Sequence, residues 1–330
     1  MLDQPVASIV FHYTILITLS VVVIALLAAM VVFTSLPKST EFMLVLHKTG
    51  HPLVFGVTAL LVLRLLTNFS GIASRPLWIA YLSAFAITVL LGAMTEIAQL
   101  FTHRNARVAD VVSDAIGAVA CLAGHAAIRG RRQPAIARGA RIALWSIAVT
   151  AALVAMAPLM WCIAAYAVRA ANFPVILHNT SRLDLYFVSK ESGNISAVPM
   201  PAQWLQRNDS PAIRVAIDQG QYPGLHVTEP YPQWNTYRTL AIDITHPGDA
   251  KLTIVVRVHD RKHNDEYNDR FNREITIAAK TRTVFRVPLN DIQRGPKRRT
   301  LDMDAIADLN IFALGPVPNG EFLISRIWLE

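Results

Sequence analysis

The spacing of hydrophobic and polar positions changes part-way along the chain. Up to about Val168 the apolar residues come in long, nearly unbroken runs; after Asn172 they alternate with polar residues in short segments. A run of about 20 apolar residues crosses a bilayer as a helix, whereas alternation with period two predicts half-buried strands. The runs predict spans over residues 9–36, 52–69, 77–101, 108–128 and 142–168. The segments LYFVS, IRVAI, RTLAIDI, LTIVVRVHD, FNREITIA, TVFRVPL, LNIFAL and EFLISRIWL read as strands, separated by turn residues such as His246-Pro247-Gly248-Asp249. MDAIADL reads as one short helical turn. The expected fold is an α-helical transmembrane bundle of five spans over residues 1–170, a linker over 171–182, and an all-β jelly-roll sandwich over 183–330.

Composition sharpens this picture. The chain is 53% hydrophobic over 330 residues, too apolar for an ordinary soluble protein. Its net charge of +8 is concentrated in RGRRQPAIARGAR, Arg129–Arg141, a short loop between two apolar runs. Such loops stay on the cytoplasmic side, so the N-terminus is expected there too, with 37–51, 102–107 and everything after Val168 outside. MLDQPVAS lacks a basic start and no A-x-A site follows the first run, which favours a retained helix over a signal peptide. The basic loop is short and free of interleaved aromatics, so no nucleic-acid partner is expected. Cys121 and Cys162 lie in apolar runs and offer neither a disulfide framework nor zinc spacing.

The stretch TEIAQLFTHRNARVADVVSDAIG, Thr95–Gly117, holds polarity that a membrane hairpin does not need. An ionisable group in a membrane segment costs roughly 2.5–3.5 kcal/mol at the helix centre and less near an end. Lys48 and His51 are three residues apart, as are Glu96 and Gln99; Asp110 and Asp114 are four apart. On a helix each pair shares a face, and the expected topology brings all three pairs to the outer leaflet. With Arg104 and Arg107 they form the candidate polar site. Glu96 can accept a proton or pair with a cation, and the arginines can clamp a phosphate or carboxylate. A solvated loop, a network that locks helix register, and a divalent metal held by His47, His51, His103, Glu96 and Asp110 are rival readings. No metal-defining spacing such as HExxH occurs, and neither a metal site nor a cofactor is expected.

HKTGHPLVF, EIAQLF and RNARVADVVSDAIG, in that order on separate spans, resemble the VanZ-like family of membrane proteins over residues 40–127. The matching positions are Lys48, His51, Glu96, Gln99, Arg107, Asp110, Asp114 and Gly117. The chain departs from the family pattern with His47 in place of an Asp and Asp114 in place of a frequent Asn. The resemblance implies a role in the cell envelope or glycopeptide-antibiotic resistance.

In the second half YPGLHV, WNTYRTLAIDI, VHDRKHNDEYNDRFN, VPLNDI and FLISRIWL resemble galactose-binding-like jelly rolls, and more narrowly carbohydrate-binding modules. A sugar site pairs aromatic faces with planar polar groups. Trp204, Tyr222, Tyr231, Trp234, Tyr237 and Tyr267 supply aromatics, of which Trp234 and Tyr237 are selected, with His259, Asp260, Asp269 and Arg270 as polar partners. Core anchoring by the two aromatics and a solvated hairpin tip are the structural alternatives.

Together these readings describe a bacterial inner-membrane protein whose outward-facing jelly roll binds an envelope glycan. Membrane lipid, a lipid-linked precursor and envelope-synthesis proteins are the further partners. Two rivals stand beside it: an enzyme acting on a lipid-linked or polymeric sugar, and a scaffold for an envelope-synthesis complex.

Overall fold

The computed structural model describes residues 4–33, 40–68, 76–101, 107–131, 137–189, 195–207, 209–217, 222–314, 317 and 320–330. It divides into two compact units, residues 1–162 and 163–330.

The first unit is helical: α1 (Gln4–Phe33), α2 (Glu41–Asn68), α3 (Leu77–Leu100), α4 (Val108–Gly130) and the greater part of α5 (Arg138–Asn172). Helices α2, α3, α4 and α5 are long and apolar enough to cross a membrane; in α1 the described apolar stretch, Ile17–Val31, is shorter. Four of the five expected spans are thus helices of this kind. Leu82, Leu90, Met94 and Ile97 on α3 and Leu153, Val154 and Ile163 on α5 are exposed, which suits lipid and is unfavourable in water. The N-terminal region is membrane-embedded.

Helix α2 begins at Glu41, eleven residues before the expected start at Pro52. The proline lies inside the helix instead of opening it, which neighbouring helices make tolerable in a membrane bundle. Small residues let α2 and α4 approach closely. A Cβ on Gly117 would lie 2.0 Å from the Pro52 carbonyl oxygen, and one on Gly56 would lie 2.6 Å from Cys121 Sγ. Close backbone approach through small residues is the usual way membrane helices gain packing energy, since lipid supplies no hydrophobic drive.

The second unit is an antiparallel β-sandwich. One sheet has the order β2 (Ile195–Val198), β3 (Ala212–Ala216), β10 (Glu321–Leu329), β5 (Thr239–His246), β8 (Thr281–Pro288), with β1 (Val175–Leu177) also paired to β10. The other has the order β4 (Gly224–Thr228), β9 (Ile306–Ala313), β6 (Leu252–Asp260), β7 (Phe271–Ile277). Inward-facing Ile242, Ile244, Ile324 and Ile327 of the first sheet meet Val256, Val258, Leu309 and Ile311 of the second in one core. Alternation along the strands fixes this register, because a slip of one residue would send every apolar side chain to the wrong face.

Several sequence expectations shift. LYFVS forms turns with a single bridge between Val188 and Val227, while ISAV and GLHVT are strands. Residues 175–177, inside the expected linker, pair with β10. MDAIADL contributes a turn and then the start of β9; a short α-helix, α6 (Leu289–Gln293), instead begins within VPLNDI.

Candidate functional site

In the helical unit the end of α3 meets the start of α4. Glu96, only 4% exposed, accepts a hydrogen bond from the backbone N–H of Arg107, the residue that opens α4, at 2.8 Å. The first N–H groups of a helix lack intrahelical partners and attract negative charge, so this carboxylate caps α4. Gln99 Nε2 donates to the Val31 carbonyl in the last turn of α1 at 3.3 Å, giving an orphan carbonyl a partner. Both residues thus tie helix ends together.

His51 and Asp114 form the deeper part. Asp114 is fully buried, and neither carboxylate oxygen accepts a hydrogen bond from the described residues. His51 Nδ1 lies 3.7 Å from Asp114 Oδ1, and the His47 ring packs on that of His51 with centroids 5.5 Å apart. Gly92 makes room for the acid: a Cβ there would sit 3.1 Å from Asp114 Oδ2. Glycine on α3, the acid on α4 and the imidazole on α2 therefore meet in one buried cluster from three helices.

The expected site is only partly assembled. Lys48 is exposed although His51, three residues on, is buried, so the two do not share a face toward the cluster. Asp110 is half-buried above Asp114, and the Arg107 side chain is exposed, contributing its N–H rather than a guanidinium clamp. Arg104 and His103 lie outside the described residues. Among the described residues no group of three or more His, Cys, Asp or Glu side chains could hold a metal ion.

On the sandwich, two selected aromatics prove to be structural. Trp234 has no exposed surface and its Nε1–H donates to the Tyr231 carbonyl at 2.7 Å, so it has no face to offer a sugar. Tyr237 packs edge-on against Phe173, with centroids 5.3 Å apart, and helps close the core. Asp260 and Asp269 are likewise committed. Arg299 donates to Asp260 at 2.6 and 2.8 Å and to Asp269 at 2.5 and 2.9 Å, and the Asp302 N–H donates to Asp260 at 2.8 Å. The guanidinium holds Asp269 well below the usual carboxylate range; burial of Asp260 opposes ionisation, but bonds from Arg299 and two backbone N–H groups outweigh it.

The outer face of the four-stranded sheet carries a different cluster. Strand register aligns His226 on β4, Asn310 on β9, Arg257 on β6 and Asn272 on β7 as one row across all four strands. Arg257 Nε donates to Asn272 Oδ1 at 3.1 Å, and its guanidinium lies over the Phe312 ring at 4.6 Å. The next row brings Thr228, Asp308 and His259 together. Asp308 pairs with His226 and lies 3.8 Å from His259 Nε2; His259 in turn stacks on His263. Burial holds the His259 imidazole below its ordinary value, with Asp308 opposing. Two exposed tyrosines flank this surface. Tyr222 is 58% exposed and stands edge-on to Phe312; Tyr267 is 66% exposed and lies under Arg270. Both tyrosines, Asp308 and Arg270 act electrostatically on Arg257.

Of the selected residues, then, His259 and Arg270 belong to this face. Tyr222 and Tyr267 belong to the wider aromatic set, while the sequence does not single out His226, Arg257, Asn272, Asp308 or Asn310. Their only sequence signal is that each is a polar residue at an outward position of a strand.

No family model matches the chain, and no curated protein matches it. Among solved structures it is similar to an exo-β-agarase at 15% identity and TM-score 0.37, over 47% of this chain and 24% of that one. It is similar to a family 11 carbohydrate-binding module from Clostridium thermocellum, solved with a β-1,3-1,4-mixed-linked tetrasaccharide, at 17% identity and TM-score 0.30, over 43% and 81%. A family 16 carbohydrate-binding module matches at 15% identity and TM-score 0.31, over 47% and 98%. The chain thus spans about a quarter of the agarase's length.

Proposed function

We propose that this chain is a membrane-anchored glycan-binding protein whose sugar site is the outer face of the four-stranded sheet. The observation that carries the reading is the row His226–Asn310–Arg257–Asn272, flanked by exposed Tyr222 and Tyr267. Planar polar groups held by register on a rigid sheet suit hydroxyl recognition, and exposed rings beside them suit stacking on sugar C–H surfaces. On the finer reading the helical unit is VanZ-like and sits in a bacterial inner membrane. The N-terminus is then cytoplasmic and the sandwich faces outward, where it meets envelope glycans or lipid-linked precursors.

Binding of the full-length chain in nanodiscs to a glycan array tests this. Arg257→Ala is expected to weaken binding about tenfold, equivalent to about 1.4 kcal/mol. Tyr267→Ala and Tyr222→Ala are each expected to lose about threefold to tenfold, the scale of one aromatic contact. Tyr237→Ala, away from the face, is expected to keep its affinity. Absence of binding to any glycan by the folded chain overturns the reading.

A second reading is favoured by Asp114: chemistry at the His51–Asp114 pair on a lipid-linked sugar. A buried acid without hydrogen bonds is costly to keep, and functional sites are where such costs persist. Asp114→Asn is expected to leave the thermal midpoint of the purified protein unchanged or higher, while abolishing any turnover of a lipid-linked saccharide followed by mass spectrometry. A wild-type protein that binds such a substrate and never alters its mass rules the enzyme reading out.

A further inference from the structure

At the other end of the helical bundle from Glu96 and Asp114, a cavity of about 300 Å³ opens among α2, α3 and α4. That is roughly the volume of ten waters at about 30 Å³ each. Arg64 and Thr67 of α2, Leu77 and Tyr81 of α3, and His125 and Arg129 of α4 line it, with Leu60 and Leu63 behind. Among the described residues no acidic one lines it. The sequence offers none nearby, since no Asp or Glu occurs between Glu41 and Glu96 or between Asp114 and Asp184.

The polar groups are arranged rather than scattered. Tyr81 Oη lies 2.7 Å from His125 Nδ1, and the two rings are 5.9 Å apart. With the phenol donating to Nδ1, the imidazole proton sits on Nε2 and is free to donate to a ligand. Arg129 is close enough to act electrostatically on both Tyr81 and His125. Arg64 and Arg129 make no ion pair with any described residue. Two permanent cations, an ordered imidazole and an interior with room for several waters call for an anion with several acceptor oxygens.

We propose that this cavity binds a phosphate group, of the kind presented by an anionic phospholipid headgroup. Basic pockets between transmembrane helices hold such headgroups, and planar guanidinium groups match phosphate oxygens two at a time. A bound phosphate would join α2 to α4 through Arg64 and Arg129, at the end of the bundle away from the close approach of Gly117 to Pro52.

The test uses the full-length chain in phosphatidylcholine nanodiscs, with and without phosphatidylglycerol or cardiolipin, read by native mass spectrometry and by the thermal midpoint. Wild type is expected to retain anionic lipid and to show a saturable rise in midpoint. Arg64→Gln with Arg129→Gln is expected to weaken retention about 30-fold, each arginine near a charged surface contributing about fivefold. Tyr81→Phe, a milder change that frees His125, is expected to weaken retention while preserving the fold. Arg138→Gln with Arg141→Gln removes the same charge away from the cavity and is expected to have no effect. Equal loss in that control, or no selective retention by wild type, overturns the proposal. A matching midpoint rise with inorganic phosphate alone keeps the site and assigns it to a soluble phosphate.

Discussion

Arg299→Ala is expected to destabilise the sandwich by about 3 kcal/mol, the lower end of the range for removing one partner of a buried ion pair. The reason is local. Asp260 is 1% exposed, and both of its carboxylate oxygens are bonded to Arg299. Without the guanidinium the acid stays buried with only backbone N–H groups from Asp302 and Lys262. Arg299 also fastens the loop before β7 to the segment before β9 by bonding Asp269, so both ends of the β6–β7 connection loosen. Chemical denaturation of wild type and variant gives the difference directly.

The same network predicts the response to acid. Asp260 and Asp269 in it, and Asp209, which Arg282 bonds at 2.6 and 2.9 Å elsewhere on the sandwich, all have folded-state pKa values depressed below their ordinary value. A depressed acid binds its proton more readily in the unfolded chain, so the stability it contributes is complete above the unfolded value of about 4 and is lost as pH falls below it. Wild-type stability is therefore expected to fall steadily below about pH 4, and Arg299→Ala to show a shallower fall, since two of the three acids have lost their main partner. A variant as acid-sensitive as wild type would show that Arg299 does not set these acids.

Gly117→Leu is expected to have the largest effect on the helical unit. A Cβ at Gly117 would lie 2.0 Å from the Pro52 carbonyl oxygen and 2.7 Å from its Cα, and backbone atoms cannot rotate aside. Ordinary overpacking costs about 1–3 kcal/mol, and this contact exceeds it because the two helices must separate. Separation would also move α2 relative to α4 and so pull His51 from Asp114. The detergent-solubilised variant is expected to give little folded protein and a much lower thermal midpoint. Gly50→Ala serves as the control: nothing lies within 4 Å of its Cβ position, and alanine favours a helix by up to about 1 kcal/mol. A Gly117→Leu protein as stable as the Gly50→Ala one would mean that α2 and α4 do not meet as described.

Arg299 illustrates what a linear reading leaves out. The acids of HDRKHNDEYNDRFN look like a solvated or ligand-binding run, and nothing local shows that a guanidinium some thirty residues on neutralises two of them. Trp234 is a similar case. An aromatic at a strand entrance is equally compatible with stacking on sugar or filling a core, and only its complete burial decides. Glu96 and Gln99 stand out in the sequence as polar residues inside apolar runs, and the structure gives them partners on other elements, the α4 N-terminus and the end of α1.

The sequence by itself determined the two-part architecture, because long apolar runs and period-two alternation are local consequences of where a residue sits in a helix or strand. It also marked Glu96, Gln99, His51 and Asp114 as polar residues that lipid alone does not explain. Tertiary structure decided which of them meet: close packing at Gly92 and Gly117 brings His51 to Asp114 and leaves Lys48 outside. It decided the polar row on the four-stranded sheet in the same way. His226, Arg257, Asn272 and Asn310 come from four strands, and register, a long-range property of backbone hydrogen bonding, sets them in one row.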